Sequence, residues 1–352
     1  MGEAASVARP AWLPAWIRGP LPVLLALPVL SLAEVLSAES PFFVYLASLV
    51  GVNVILAVSL NVVNGMTGQF SIGHAGFMAV GAYLSGKFSL ETKDLYLSFL
   101  PVPASDQVIF LASLLIGSSC AALAGFVVGL PSLRLKGDYL AIVTLGFGEI
   151  IRVIVQNTEA FGRALGLSGI PQRSSLFMVY LWVLLTVLVA RRIAGSSHGR
   201  SLLAIREDEV AAEAMGVDTT AYKVRAFVVS AFFGGAAGAL FAHFVPIINP
   251  GTFSFVKSME IVVMIVLGGL GSTTGAIAAA IFLTLLPEAL RSLFTQLGGD
   301  QSLAQRVDQI RMPIYGLLLV ALMLVRPQGL FGSRELWTVA PRWIPRRFRG
   351  LR

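Results

Sequence analysis

Polar and apolar residues follow one another along this chain in blocks rather than in single steps. Residues 42–60, 108–130, 176–190 and 312–325 contain no Asp, Glu, Lys or Arg. Runs of this kind predict helices that cross a bilayer, because about 20 residues rising 1.5 Å each span the hydrocarbon core. A transmembrane barrel would show a weak two-residue alternation over about ten residues per strand. These runs are instead unbroken and rich in Leu, Val, Ala and Gly. The apolar segments cover roughly 21–33, 42–63, 66–86, 108–130, 138–156, 176–193, 226–245, 252–270, 274–290 and 312–326. The expected architecture is an all-α integral membrane protein, a polytopic bundle of about ten transmembrane helices. A shallow dip of 252–290 on one face would lower the count to eight. Residues 21–33 follow Arg9 and Arg18 and read as a signal peptide or a retained first helix, of which the retained helix is simpler because no small-residue cleavage site follows.

Composition agrees with this reading and charge orients it. With 56% hydrophobic and 13% charged residues, the chain has too few polar groups to cover a soluble globule of 352 residues. The net charge of +7 would point to nucleic acid in a soluble protein, but here it follows topology, and no nucleic-acid partner is expected. Residues 1–20, 131–137, 191–225 and 326–352, with two nearly uncharged turns near 64 and 272, carry 17 of the 26 Lys and Arg. The alternate loops carry eight of them: Lys87, Lys93, Arg163, Arg173, Lys257, Arg291, Arg306 and Arg311. Basic loops stay in the cytoplasm. The expected organisation is a cytoplasmic tail over 1–20, a transmembrane domain over 21–330 with a cytoplasmic loop at about 191–225, and a basic cytoplasmic tail over 331–352.

The chain offers little for catalysis. Its one cysteine, Cys120, lies inside an apolar run, and His74, His198 and His243 are far apart, so no metal-ligand cluster is expected. Gly81 to Lys87 has the spacing of a phosphate-binding loop, but Phe88 stands where the Ser or Thr that holds magnesium would be. No enzyme activity and no cofactor in this chain is the expectation.

Three passages point to function. The first, Asn61-Val-Val-Asn64-Gly65-Met-Thr67-Gly68-Gln69-Phe-Ser71-Ile-Gly73-His74, is polar and dense in glycine between two apolar helices. Irregular backbone at membrane depth is tolerated where it lines a cavity or is buried in protein, and broken helices present their ends to polar solutes. Asn64, Gln69, Ser71 and His74 are therefore candidate pathway residues, with Gly65, Gly68 and Gly73 as the breaks. The second lies in the long loop, where residues 204–215 are strong helix formers and Gly216 is a natural terminator. The third is Met259-Glu260 to Gly268-Gly269-Leu270-Gly271-Ser272, a helix, a glycine turn and a second helix. Carboxylates inside a membrane are costly, which adds Glu149, three residues from Arg152, and Glu260 to the pathway candidates.

The loop helix resembles the EAA loop of bacterial ABC importer permeases, in which two alanines followed three residues later by glycine mark the helix that docks in the ATPase. Ala211, Ala212 and Gly216 fall on that pattern, and Glu209 and Glu213 lie beside them as further residues of the expected coupling helix. It departs at Val210, which takes the Glu position, and in lacking the Ile-x-Leu-Pro ending. Together with Leu140-Ala-Ile-Val-Thr144-Leu-Gly146-Phe-Gly148-Glu149, these motifs make residues 42–330 similar to the LivM-type permeases of branched-chain amino acid ABC transporters. The resemblance implies a multi-pass subunit of the bacterial inner membrane that forms half of the path for leucine, isoleucine and valine. It implies as partners a LivH-like second permease, two cytoplasmic ATPases that bind the ATP and magnesium, and an extracytoplasmic substrate-binding protein. Urea or short-amide permeases share the family pattern, and an ion-coupled secondary transporter is the alternative from another class.

Overall fold

The computed structural model describes residues 41–92, 102–133, 137–296 and short pieces between 313 and 332. The expected segment at 21–33 and part of that at 312–326 lie outside the described residues. The described chain is helical: α1 (Pro41–Asn61), continued by a π-helical turn (Val62–Met66), then α2 (His74–Glu91), α3 (Val102–Ser132), α4 (Asp138–Asn157), α5 (Leu176–Gly195), α6 (Ser197–Glu207), α7 (Glu209–Ala214), α8 (Thr219–Ala242), α9 (Phe255–Gly268) and α10 (Thr273–Gln296). Among the described residues the only sheet is the two-residue antiparallel ladder of β1 (Leu167–Ser168) with β2 (Ile247–Ile248). Among the described residues six helices are long and apolar enough to cross a membrane: Pro41–Met66, Ser105–Ser132, Tyr139–Asn157, Leu176–Gly195, Thr219–Ala242 and Thr273–Ser292.

The centre of the bundle is built on small residues. The spans of α8 and α1 are 72% and 67% buried while that of α4 is 22% buried, so α1 and α8 form the core and α4 the rim. A methyl group added at Gly81 of α2 would fall on the backbone of Gly235 in α8, one at Gly117 of α3 on the carbonyl of Gly81, and one at Gly235 on Ala121. Three backbones thus meet at glycines. Without a hydrophobic drive between helices in lipid, such close contact supplies the van der Waals attraction. Gly81 and Gly86 therefore serve packing inside a continuous helix, and Lys87 pairs with Glu91 one turn on. No phosphate loop exists there.

Three expected segments differ in detail. Residues 66–86 form a helix only from His74, because the glycine-rich 67–73 stretch has left helical geometry. The 252–270 segment contains the 14-residue α9, about 21 Å long, which is shorter than the roughly 30 Å hydrocarbon core. A 3-10 turn over Pro250–Phe253 links it to β2. Its partner α10 is long and apolar enough to cross a membrane. The expected helix over 204–215 is two helices, because the Asp208 carboxylate accepts Val210 N–H (2.9 Å) and Ala211 N–H (3.0 Å) and starts a new helix at Glu209.

Candidate functional site

The glycine-rich passage after α1 is held by its own side chains. Asn64 donates from Nδ2 to the Ser71 carbonyl (3.2 Å), and its Oδ1 accepts Ser71 N–H (3.2 Å), which staples the two sides of the break. Thr67 Oγ1 returns to the Val63 carbonyl (2.6 Å) and accepts Gln69 N–H (3.3 Å). Gly68 turns the chain at φ +71°, a conformation open to glycine. The first backbone donors of α2 are free of intrahelical partners by geometry. Here Ala75 N–H reaches Ser258 Oγ of α9 (3.2 Å) and Ile72 N–H reaches Thr144 Oγ1 of α4 (3.1 Å). Gly73 has no room for a side chain against the Thr144 carbonyl.

His74 is the first residue of α2 and is 2% exposed. Its Nε2 lies 2.9 Å from Ser59 Oγ of α1, and Ser59 gives its one hydroxyl proton to the Leu56 carbonyl (3.0 Å). The ring packs edge-on to Phe77 and fills the space left by Gly234 of α8. His74 thus binds α1, α2 and α8 together.

The break and the turn between α9 and α10, far apart in sequence, meet in space. Gly271, at φ +88°, donates its N–H to Asn61 Oδ1 (2.9 Å), and a methyl at Gly65 would strike Gly271. Gly269, at φ +108°, completes the turn, and Gly268 rests against Gly275. Arg206, from α6, donates from Nη1 to the Gly65 carbonyl (2.7 Å), and its stem covers Gly68. One guanidinium therefore joins the helix pair α6–α7 to both glycine breaks.

In α7 the EAA-like residues divide between two faces. Ala212 is 5% exposed, Glu209 pairs with the buried Lys223 of α8 (2.6 Å), and Glu213 accepts from Thr219 Oγ1 (2.7 Å). These hold α7 to α8, so Glu209 and Glu213 have partners inside the chain. Gly216, at φ +83°, ends α7 with Gly216 N–H on Glu213 (2.9 Å) and Val217 N–H on Ala212 (3.1 Å), a paired C-terminal cap. Ala211 faces outward with Val210 (68% exposed) and Met215 (84% exposed).

Glu149 and Glu260, the two carboxylates expected along the pathway, occupy different places. Glu149 binds Arg152 through Oε2 (2.7 Å) and accepts Phe255 N–H at the start of α9 through Oε1 (3.1 Å), so it ties α4 to α9. Glu260, 5% exposed, pairs with Lys257 (3.2 Å), which also donates to Asn53 Oδ1 of α1 (2.9 Å). Asn53 Nδ2 then donates to Thr284 Oγ1 of α10 (2.9 Å). This chain of polar groups borders a cavity of about 470 Å³ between α1, α9 and α10, which Glu288, Arg291 and Tyr315 also line.

The pathway candidates therefore separate: Asn64, Gln69 and Ser71 at the break, His74 in the bundle, Glu149 on α9's start, and Glu260 on the cavity. Sequence reasoning missed Arg206, Asn53, Lys257 and Thr284. Lys257 was discoverable, since its three-residue spacing from Glu260 repeats that of Glu149 and Arg152. Arg206 carried no signal, because its partner Gly65 is 141 residues away.

Comparison with known proteins extends this geometry. Residues 42–325 match the sequence profile of the branched-chain amino acid transport system permease component. The chain is 34% identical over 336 residues to the high-affinity branched-chain amino acid transport system permease protein LivM of Escherichia coli K12, covering 84% of this chain and 72% of that protein. It is 25% identical over 321 residues to the probable branched-chain amino acid transport permease protein LivM of Methanocaldococcus jannaschii, covering 82% and 92%. Against the permease protein LivH of Salmonella typhimurium it is 24% identical over 302 residues, covering 80% and 92%. No solved structure matches the chain.

Proposed function

The chain belongs to the branched-chain amino acid transport system permease family, and from that membership we propose that it forms one half of the path for leucine, isoleucine and valine in an ABC importer. A related LivH-type permease supplies the other half, two cytoplasmic ATPases drive it, and an extracytoplasmic binding protein delivers the amino acid. The observation that carries this reading is the Arg206 junction, through which a helix pair outside the six long spans is bonded to the first break and packed against the second. A force applied to α7 reaches both breaks through one side chain. An ion-coupled transporter would need an acidic relay, whereas Glu149 and Glu260 both hold cationic partners.

The test is docking. The outward row of Val210, Ala211 and Met215 is the contact surface for the ATPase, while Ala212 secures α7 beneath it. Ala211→Glu should lower ATPase copurification at least tenfold, equivalent to about 1.4 kcal/mol, with unchanged membrane insertion. Normal copurification and normal uptake by this variant would remove the docking role.

Orientation gives a second test. Leu330 N–H reaches the Leu267 carbonyl (2.9 Å), which supports the C-terminal tail and α6–α7 sharing one side. Reporters fused after Phe331 or within 195–220 should then read cytoplasmic, and those within 90–105 or 295–308 exterior. An exterior signal after Phe331 would refute this arrangement.

A further inference from the structure

The cavity between α1, α9 and α10 holds two ion pairs, Lys257–Glu260 (3.2 Å) and Arg291–Glu288 (3.2 Å). Asn53 bonds Thr284, which is 11 residues, about 16 Å, from the start of α10. Their hydrogen bond therefore lies near the middle of a core about 30 Å thick. Charges at that depth are costly even when paired. The other ion pairs among the described residues lie outside this cavity.

We propose that this cavity is the solute site within the permeation path and that it takes a zwitterionic α-amino acid with an aliphatic side chain. The proposal rests on the permease reading above and sharpens it to a site and a ligand class. The four charges sum to zero, so the cavity suits a ligand with no net charge but with separated charges of both signs. The ammonium lies against Glu260 and the carboxylate against Lys257, antiparallel to the pair already there, with Arg291 and Glu288 facing them from α10. Leu46 and Leu49 of α1, Met264 of α9 and Leu283 of α10 supply the apolar wall for the side chain. The volume of about 470 Å³ falls in the range of small-molecule sites, roughly 300 to 1,000 Å³. Urea has neither formal charge nor an aliphatic part, and the site gives it no counterpart for two ion pairs.

The deciding experiment uses the assembled transporter, with partner permease, ATPases and binding protein, in proteoliposomes. The charge exchange Lys257→Glu with Glu260→Lys keeps an ion pair on α9 and reverses its direction. It should lower leucine uptake at least tenfold in complexes that retain all subunits. Uptake at the wild-type rate would overturn the site. Independently of how that variant folds, Leu49→Cys in a Cys120→Ala background should react with a maleimide more slowly in the presence of leucine and at an unchanged rate in urea. Equal rates with and without leucine, in a complex that transports leucine, would overturn the site while the permease reading stands. A wild-type complex that takes up urea and no branched-chain amino acid would overturn both.

Discussion

Gly238→Ala should strip the chain of its folded form, seen as loss of the monodisperse peak on detergent size-exclusion and a lowered thermal midpoint. The added methyl would fall on the Met78 carbonyl oxygen and close to Ala82 N–H, both backbone atoms of α2. A flexible side chain could swing aside, but a helix backbone cannot, so α2 and α8 must separate. Separation breaks the neighbouring contacts at Gly81 and Gly235, and with them the place of His74 between α1 and α8. Overpacking commonly costs 1–3 kcal/mol, and a backbone clash at a junction of three helices should cost about 3 kcal/mol or more. Gly146→Ala is the control. That glycine is exposed on α4 with nothing near its missing side chain, so alanine should leave stability unchanged or raise it by about 0.5–1 kcal/mol through helix propensity. Equal midpoints for the two variants would mean that the α2–α8 contact is looser than the geometry requires.

Arg206→Ala should abolish most amino-acid uptake while leaving ATPase association intact. The guanidinium donates to the Gly65 carbonyl at 2.7 Å and lies against Gly271, so its loss disconnects α6–α7 from both breaks. A charge-assisted bond of this kind contributes about 1.5–3 kcal/mol, and a coupling of that size changes the linked equilibrium roughly 10- to 150-fold. The outward face of α7 is untouched by the change, which separates this effect from a docking defect. Arg206→Lys should recover part of the uptake, since one ammonium can meet the Gly65 carbonyl but lacks the planar fork that spans two neighbours. Arg200→Ala, on the same helix and exposed, should transport as wild type. The readout is stimulation of ATP hydrolysis by the loaded binding protein, expected to fall toward the basal rate for Arg206→Ala. Undiminished stimulation would show that the junction is not the link between α7 and the bundle.

Much of the site was legible as chemistry but not as arrangement. The glycine breaks were visible because a run such as Gly65 to Gly73 cannot continue an apolar helix, and Gly268 to Gly271 cannot either. Which groups close those breaks was not visible. Asn64 reads as a polar group awaiting a solute, yet its amide is consumed by the backbone of Ser71. The acids around the alanine pair read as one docking surface, yet Glu209 turns inward to a lysine on the next helix. A six-residue helix has two faces, and its sequence alone does not say which one the bundle covers.

The sequence by itself determined the solvent, the class and the positions of the breaks. Those properties follow from local quantities: the length of apolar runs against the thickness of a bilayer, the sign of loop charges, and the inability of clustered glycines to sustain a helix. Tertiary structure alone decided that Asn61 and Gly65 meet Gly271, that Arg206 joins them, and that Lys257, Asn53 and Thr284 share one cavity wall with Glu260. These are contacts between residues 141 to 231 positions apart, set by which glycines let helices approach. That selection depends on shape in three dimensions, and no pattern along a single helix encodes it.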